Sequence, residues 1–241
     1  MRTGTLRRVL AVAAPAAALV AVHGAPALTA RGVLRRGRLA GEGLPGGVAL
    51  TFDDGPDPHG TPAVLAALAD LGWTATFFLL GSQVRRYPAL ARTLLDAGHE
   101  LGVHGHEHRN HLARTPGWVQ RDLTDAVEAV VTATGERPRW FRPPYGVLTA
   151  GSLRAARRLG LAPVLWTAWG RDWERTTAER VVGTLRPGLR SGATLLLHDS
   201  DCAATEGSWR ATAAALPLLA AELDRRGLAV RPLREHLADA G

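Results

Sequence analysis

From residue 47 onward, short apolar runs alternate with longer amphipathic ones, and a polar cluster follows nearly every apolar run. Apolar runs of four to eight residues bounded by turn signals fit buried strands, and their alternation with helical patterns predicts a parallel sheet. The pattern predicts strands over 47–52, 74–80, 100–103, 139–142, 162–167 and 193–197, with a last one near Ala229. Helices are predicted over 61–71, 88–97, 118–134, 152–159, 177–185 and 208–226, with a short one over 233–238. Thr61 reads as an N-cap with Pro62 at the first helical position, and Pro217 as a kink site. Seven strands alternating with helices imply one α/β domain whose sheet is either doubly wound or closed as a barrel. In both cases chemistry collects in the loops after the strand ends.

The first 46 residues have a different character. Three Arg within residues 1–8 precede an unbroken apolar or small run over 9–22, and Ala25-Pro26-Ala27 offers a cleavage site. That is the plan of a secretory signal peptide, so residues 1–30 are read as an export signal. Extending the run to Ala30 approaches the roughly 20 residues of a spanning helix, which leaves an uncleaved membrane anchor open. Residues 31–46, rich in Arg and Gly, read as a linker, and 47–241 as the domain. An exported protein, extracellular or held at the cell surface, is the expectation.

The net charge of +7 suggests nucleic acid until its location is considered. Residues 1–46 hold seven Arg and one acid, while the remaining 195 residues hold 22 Arg and 21 acids. The body is nearly neutral and lacks the basic excess that phosphate-backbone binding needs, so no nucleic-acid partner is expected. The lone cysteine, Cys202, has no partner for an internal disulfide and is read as a bystander. A monomer is expected.

Five polar clusters carry the chemistry. After the first strand stands Thr51-Phe52-Asp53-Asp54-Gly55-Pro56. Adjacent carboxylates at a strand end point in different directions, so one can bind a metal while the other serves as a base; a plain Asp-Asp-Gly-Pro turn is the alternative. After the third strand stands His104-Gly105-His106-Glu107-His108. Imidazoles four apart can meet one divalent cation, with Asp54 supplying an oxygen, and such a set leaves positions for water and substrate. The same five residues match the H-x-x-E-H pattern of zinc proteases, but that motif needs a helix, and Gly105 after a strand-like run argues against one. Arg142-Pro143-Pro144-Tyr145-Gly146 follows the next strand, and its rigid prolines could hold Arg142 against Asp53. Finally, Asp172-Trp173 and Leu197-His198-Asp199 offer an imidazole, His198, suited to act as general acid, with Asp172 to fix its tautomer and raise its pKa.

Taken together these motifs resemble the polysaccharide deacetylases (the NodB homology domain, carbohydrate esterase family 4). The resemblance is carried by TFDDGP at 51–56, H-x-x-x-H at 104–108, R-P-P-Y-G at 142–146, D-W at 172–173 and L-L-H at 196–198, and it spans roughly 47–235. It implies a distorted (β/α) barrel of seven or eight mostly parallel strands. It further implies Asp53 as general base, Asp54, His104 and His108 as metal ligands, Arg142 as the group orienting Asp53, and Asp172 as the group tuning the acid His198. Tyr145 would give its backbone N–H to the oxyanion, while Trp173 and Leu197 would line the pocket for the acetyl methyl. The implied cofactor is a divalent ion, Zn²⁺ first, with Co²⁺ or Ni²⁺ as substitutes. The implied reaction is removal of acetyl groups from a polysaccharide, most simply N-deacetylation of N-acetylglucosamine units in peptidoglycan or a chitin-like chain. An O-acetyl esterase acting on hemicellulose and a silent glycan-binding module are the alternatives. Three positions depart from the family pattern: Val103 stands where Asn is usual, Gly105 where Ser or Thr is usual, and Trp169 where the fourth motif carries its first Asp.

Overall fold

In a computed structural model that describes residues 37–238, strand β1 (Gly47–Asp53) is buried along its whole length and sits at the centre of the sheet. Around it lie β2 (Thr76–Leu79), β3 (Glu100–Val103), β4 (Trp140–Phe141), β5 (Ala162–Pro163), β6 (Ala168–Trp169), β7 (Thr194–His198) and β8 (Ala229–Arg231). The order is β5-β4-β3-β2-β1-β7-β6, every pairing is parallel, and β8 pairs with the N-terminal part of β1. Helices α1 (Gly37–Ala40), α2 (Gly60–Asp70), α3 (Gly81–Arg86), α4 (Pro88–Asp96), α5 (Pro116–Thr134), α6 (Ala150–Leu159), α7 (Ala178–Leu185), α8 (Trp209–Arg226) and α9 (Leu233–His236) fill the connections. This is the distorted (β/α) barrel, a curled parallel sheet with a helical layer outside it.

The two faces of the sheet have separate cores. Val48, Leu50, Phe52, Phe77, Leu79, Val103, Phe141, Leu195 and Leu197 belong to the large cluster shared with the helices. Ala49, Phe78, Trp140, Val164 and Leu233 form a small one on the other face. Strand alternation causes the division, since successive side chains leave a strand on opposite sides. Each fully buried Leu or Phe contributes about 1.5–3 kcal/mol relative to exposure, so the outer layer carries most of the stability.

The single strand expected over 162–167 is instead two. β5 pairs with β4 at one edge of the sheet and β6 pairs with β7 at the other, so the residues between them cross the opening of the curl. An apolar run has the same appearance whether it pairs or crosses. Thr61 is no N-cap either: helix α2 begins at Gly60, and the Thr61 hydroxyl is used in a buried contact described below. Helix α3 was not legible, its six residues being too few to show a period. Helix α8 runs through Pro217 as one element.

Residues 37–46, expected as linker, are docked on the domain. Leu165 donates its N–H to Leu39 O at 2.8 Å, Leu44 N–H donates to His236 O at 2.8 Å, and Thr194 Oγ1 donates to Gly41 O at 2.6 Å. A segment held through its backbone carries little apolar signature, which is why composition alone reads it as linker. The export signal and the rest of the expected linker lie outside the described residues. Among the described helices, none is long and apolar enough to cross a membrane.

Candidate metal-dependent active site

The five polar clusters converge at the C-terminal end of the sheet. A cavity of about 250 Å³ opens there, lined among others by Asp53, Asp54, His104, His108, Tyr145 and His198. Register explains the convergence, because Asp53, the last residue of β1, pairs directly with His198, the last residue of β7.

Asp53 is held from below by Arg142, the largest fully buried side chain among the described residues. Arg142 Nη1 donates to Asp53 Oδ1 at 2.8 Å and to Thr51 Oγ1 at 2.7 Å, and Nη2 donates to Leu165 O at 2.8 Å. Its guanidinium also lies 4.1 Å from the centroid of the Phe78 ring. An Arg can be buried this completely only when its donors and charge are matched, and here they are. Burial still raises the pKa of Asp53 above the ordinary carboxylate value, with Arg142 opposing it. A carboxylate so poised takes up a proton more readily than a solvated one.

Asp54 adopts a positive φ of 78°, a conformation Asp tolerates better than most residues, and its Oδ1 lies 3.5 Å from His104 Nε2, which is 3.7 Å from Asp53 Oδ2. That Asp54 oxygen is buried without a hydrogen-bond partner and also lies 3.5 Å from His108 Nε2. Ligand atoms of these three side chains all fall within 4.8 Å of one another. His104 Nδ1 lies 2.8 Å from the Arg142 carbonyl; since a carbonyl only accepts, the proton sits on Nδ1 and Nε2 keeps its lone pair for the cluster. Burial lowers both imidazoles, His108 to about 4, so both are neutral at pH 7, the form in which an imidazole can bind a metal. Burial and the neighbouring Asp53 push Asp54 up to about 7, although the positive charge of His198 opposes them. An orphaned buried carboxylate oxygen between two neutral imidazoles fits a divalent cation, whose charge returns Asp54 to its ionised form. The five-residue segment is not helical, so the zinc-protease pattern is a chance match.

His198 is gripped by Asp172, which is fully buried. Asp172 Oδ1 lies 2.9 Å from His198 Nδ1, Oδ2 accepts the His198 backbone N–H at 2.7 Å, and Oδ2 also accepts the Thr212 hydroxyl at 2.7 Å. Burial disfavours the imidazolium, but the carboxylates of Asp172, Asp54 and Asp53 together outweigh it and the pKa rises to about 9. His198 is therefore a protonated acid at neutral pH, with Nε2 left for the cavity. Trp173 lines the cavity as expected, its ring edge-on to His198 with centroids 5.4 Å apart. Tyr145, with φ 60°, lies over His108 at 4.5 Å between ring centroids.

One expected residue is displaced by a single position. Leu196 lines the cavity, whereas Leu197 is completely buried in the outer core beside Phe52. Strand alternation forces this: His198 faces the cavity, so 196 does too and 197 cannot.

Supporting residues that no motif announced complete the site. Asp122 on α5 accepts the backbone N–H groups of His106 at 3.0 Å and Glu107 at 2.9 Å, fixing the loop between the two His ligands. Gly105, with φ +89°, lets that carboxylate approach, since a Cβ there would lie 2.8 Å from Asp122 Oδ2. Asp199 accepts the Thr61 hydroxyl at 2.5 Å and packs beneath Gly55, where a Cβ would fall 2.4 Å from its Oδ2. The Cys202 thiol donates to the Asp54 carbonyl at 3.5 Å, and its partial desolvation there together with the Asp54 charge pushes the pKa up to about 12, so it stays protonated although the residue is exposed.

The sequence profile of the polysaccharide deacetylases matches residues 41–164. A chitooligosaccharide deacetylase from Bradyrhizobium sp. (strain ANU 289) is 37% identical over 193 residues, covering 77% of this chain and 88% of its own. This chain belongs to the polysaccharide deacetylase family. A peptidoglycan-N-acetylglucosamine deacetylase from Bacillus cereus is 34% identical over 183 residues, covering 75% of this chain and 83% of the relative. Among solved structures, a peptidoglycan N-acetylglucosamine deacetylase in complex with a naphthalenyl N-hydroxybenzamide superposes with a TM-score of 0.75 at 26% identity, over 80% of this chain and 88% of that one. As a polysaccharide deacetylase of carbohydrate esterase family 4, the protein has the barrel and the ordered motifs that the family shares.

Proposed function

We propose that this polysaccharide deacetylase hydrolyses the N-acetyl group of N-acetylglucosamine units in peptidoglycan or a chitin-like chain, that its metal is Zn²⁺, and that it acts outside the cell. The observation that carries the reading is one small cavity bounded by the buried Asp53 carboxylate, the Asp54-His104-His108 cluster with its two neutral imidazoles, and the protonated imidazole of His198. The named activities of the two relatives support the N-acetylglucosamine substrate. The charged-then-apolar plan of residues 1–30 supports export.

A cation held by Asp54, His104 and His108 would supply Lewis acidity to a water and to the acetyl carbonyl. Asp53, buried and fixed by Arg142, takes the proton of the attacking water. The water oxygen bonds to the acetyl carbon, and the backbone N–H of Tyr145 would donate to the oxygen that gains charge; a preorganised donor of this kind is worth about 3–4 kcal/mol. His198 then delivers its proton to the sugar nitrogen as the carbon–nitrogen bond breaks, leaving acetate and a free amine. An amine is a poor leaving group, which is why an acid with a raised pKa matters. Asp172 holds His198 in the tautomer that presents the proton at Nε2 and stabilises the imidazolium.

The test is acetate release from N-acetylglucosamine oligomers by the purified protein, with and without chelator, beside Asp54→Ala. Chelator-sensitive release that the substitution abolishes is the expected result. Equal release by Asp54→Ala, or release indifferent to chelator, would overturn the metal-dependent mechanism.

A further inference from the structure

The cavity is small for the polymer that the proposed function assigns to it. Its volume of about 250 Å³ falls below the roughly 300–1,000 Å³ of pockets that enclose a whole drug-sized ligand. It has room for an acetyl group and part of the sugar that bears it, so the neighbouring sugars must rest on the surface around the mouth. Of the four large hydrophobic side chains that are exposed among the described residues, two stand there: Tyr145 at 61% and Trp169 at 41%. Large aromatic side chains left in water beside a functional cavity point to a contact surface.

Trp169 is part of a fixed row. Its ring stacks on Trp166 with centroids 6.0 Å apart and planes at 27°, and tilts against Trp173 at 5.2 Å. Trp173 in turn meets the acid His198 at 5.4 Å. Trp166 is fixed from behind: a Cβ on Gly146 would lie 2.6 Å from its ring, and the buried Arg142 guanidinium is 5.7 Å from its centroid. The row lies where the chain crosses from the β5 edge of the sheet to the β6 edge, the one flank of the cavity that no strand pairing closes. Rings held in this way offer contact area at little further entropic cost on binding.

We propose that Trp169, backed by Trp166, is a stacking platform for the sugar next to the one being deacetylated, and that it makes this enzyme selective for oligomers over the monosaccharide. A pyranose presents an apolar C–H face that packs on an indole while its hydroxyls stay in water at the ring edge, an amphipathic match that aromatic side chains suit. The indole occupies the position where the family's fourth motif carries an Asp, exchanging a hydrogen-bonding carboxylate for a stacking surface. This inference rests on the deacetylase reading for its substrate, and its test separates the two.

The experiment uses the full chain with its metal, as wild type, Trp169→Ala and Trp169→Phe. Acetate release is measured on the monomer, dimer and tetramer of N-acetylglucosamine, and binding of the tetramer is followed by calorimetry with Asp53→Asn as background. For Trp169→Ala, kcat/KM on the tetramer should fall about tenfold, mostly through KM, and the loss should shrink as the substrate shortens. Trp169→Phe should recover most of it, since a ring is restored. An equal loss on monomer and tetramer, or no loss on either, would overturn the platform while leaving the deacetylase reading intact. If wild type releases no acetate from any of the three, that reading falls; the platform then stands on tetramer binding that Trp169→Ala weakens, and fails if binding is absent or unchanged.

Discussion

Replacing Asp122 by Ala should weaken metal binding without unfolding the protein, because this carboxylate holds the loop between the two His ligands. It accepts two backbone N–H groups, from His106 at 3.0 Å and Glu107 at 2.9 Å, and lies 3.8 Å from the His111 ring. Hydrogen bonds to a charged group contribute about 1.5–3 kcal/mol each. The two N–H groups are on a loop that is only partly buried, so water recovers much of that energy once the carboxylate is gone. What water cannot restore is the geometry that keeps His108 Nε2 3.5 Å from Asp54 Oδ1. Losing a group that orients a ligand costs about 10–100-fold in metal affinity, equivalent to about 1.4–2.7 kcal/mol. Asp122→Asn retains one acceptor and should fall between the two. The assay is competition of the metal-free protein against a fluorescent zinc chelator, with thermal unfolding of the metal-free forms as the control for folding. A zinc Kd within twofold of wild type for Asp122→Ala, in a protein that unfolds normally, would refute the reasoning.

Further predictions follow the same geometry. Arg142→Met should cost about 3–5 kcal/mol by stranding the buried Asp53 without its partner, and should also abolish turnover; urea unfolding and acetate release check both, and a stable, active variant would contradict the assigned pair. Activity should decline on the alkaline side as His198 loses its proton, no higher than its metal-free pKa of about 9 because a bound cation lowers it, and Asp172→Asn should move that limb to lower pH. The stability arising from the same pair should be complete below the unfolded His pKa of about 6.5 and fade as pH rises toward 9, since the folded pKa is the higher one. An Asp172→Asn profile that superposes on wild type would remove Asp172 from this role. Leu197→Ala should cost about 2–5 kcal/mol of stability, whereas Leu196→Ala should act mainly on KM; thermal unfolding and kinetics on the two variants should separate outer core from cavity wall.

The sequence by itself determined the parallel α/β architecture and the groups that can do chemistry. Apolar runs alternating with amphipathic ones admit few other folds, and a polar cluster after a strand must emerge at one end of a parallel sheet. Asp53, Asp54, His104, His108, Arg142, Asp172 and His198 were legible because each is conspicuous where it stands, as a charge beside an apolar run or an imidazole in a short repeat. Tertiary structure alone decided what depends on three-dimensional neighbours. Leu196 rather than Leu197 faces the cavity because the register that pairs Asp53 with His198 sets the phase of β7. The run over 162–167 divides because its two ends pair at opposite edges of a curled sheet, which no local propensity encodes. Asp122, Thr61, Thr212 and Asp199 act through partners 15 to 138 residues away, so their neighbours in the chain give no sign of these roles: Thr61 reads as an N-cap and Asp199 only as the residue after His198. Trp169 stands out in sequence only as a departure from a motif and Trp166 not at all, and only the crossing of the open seam brings them side by side at the mouth of the site.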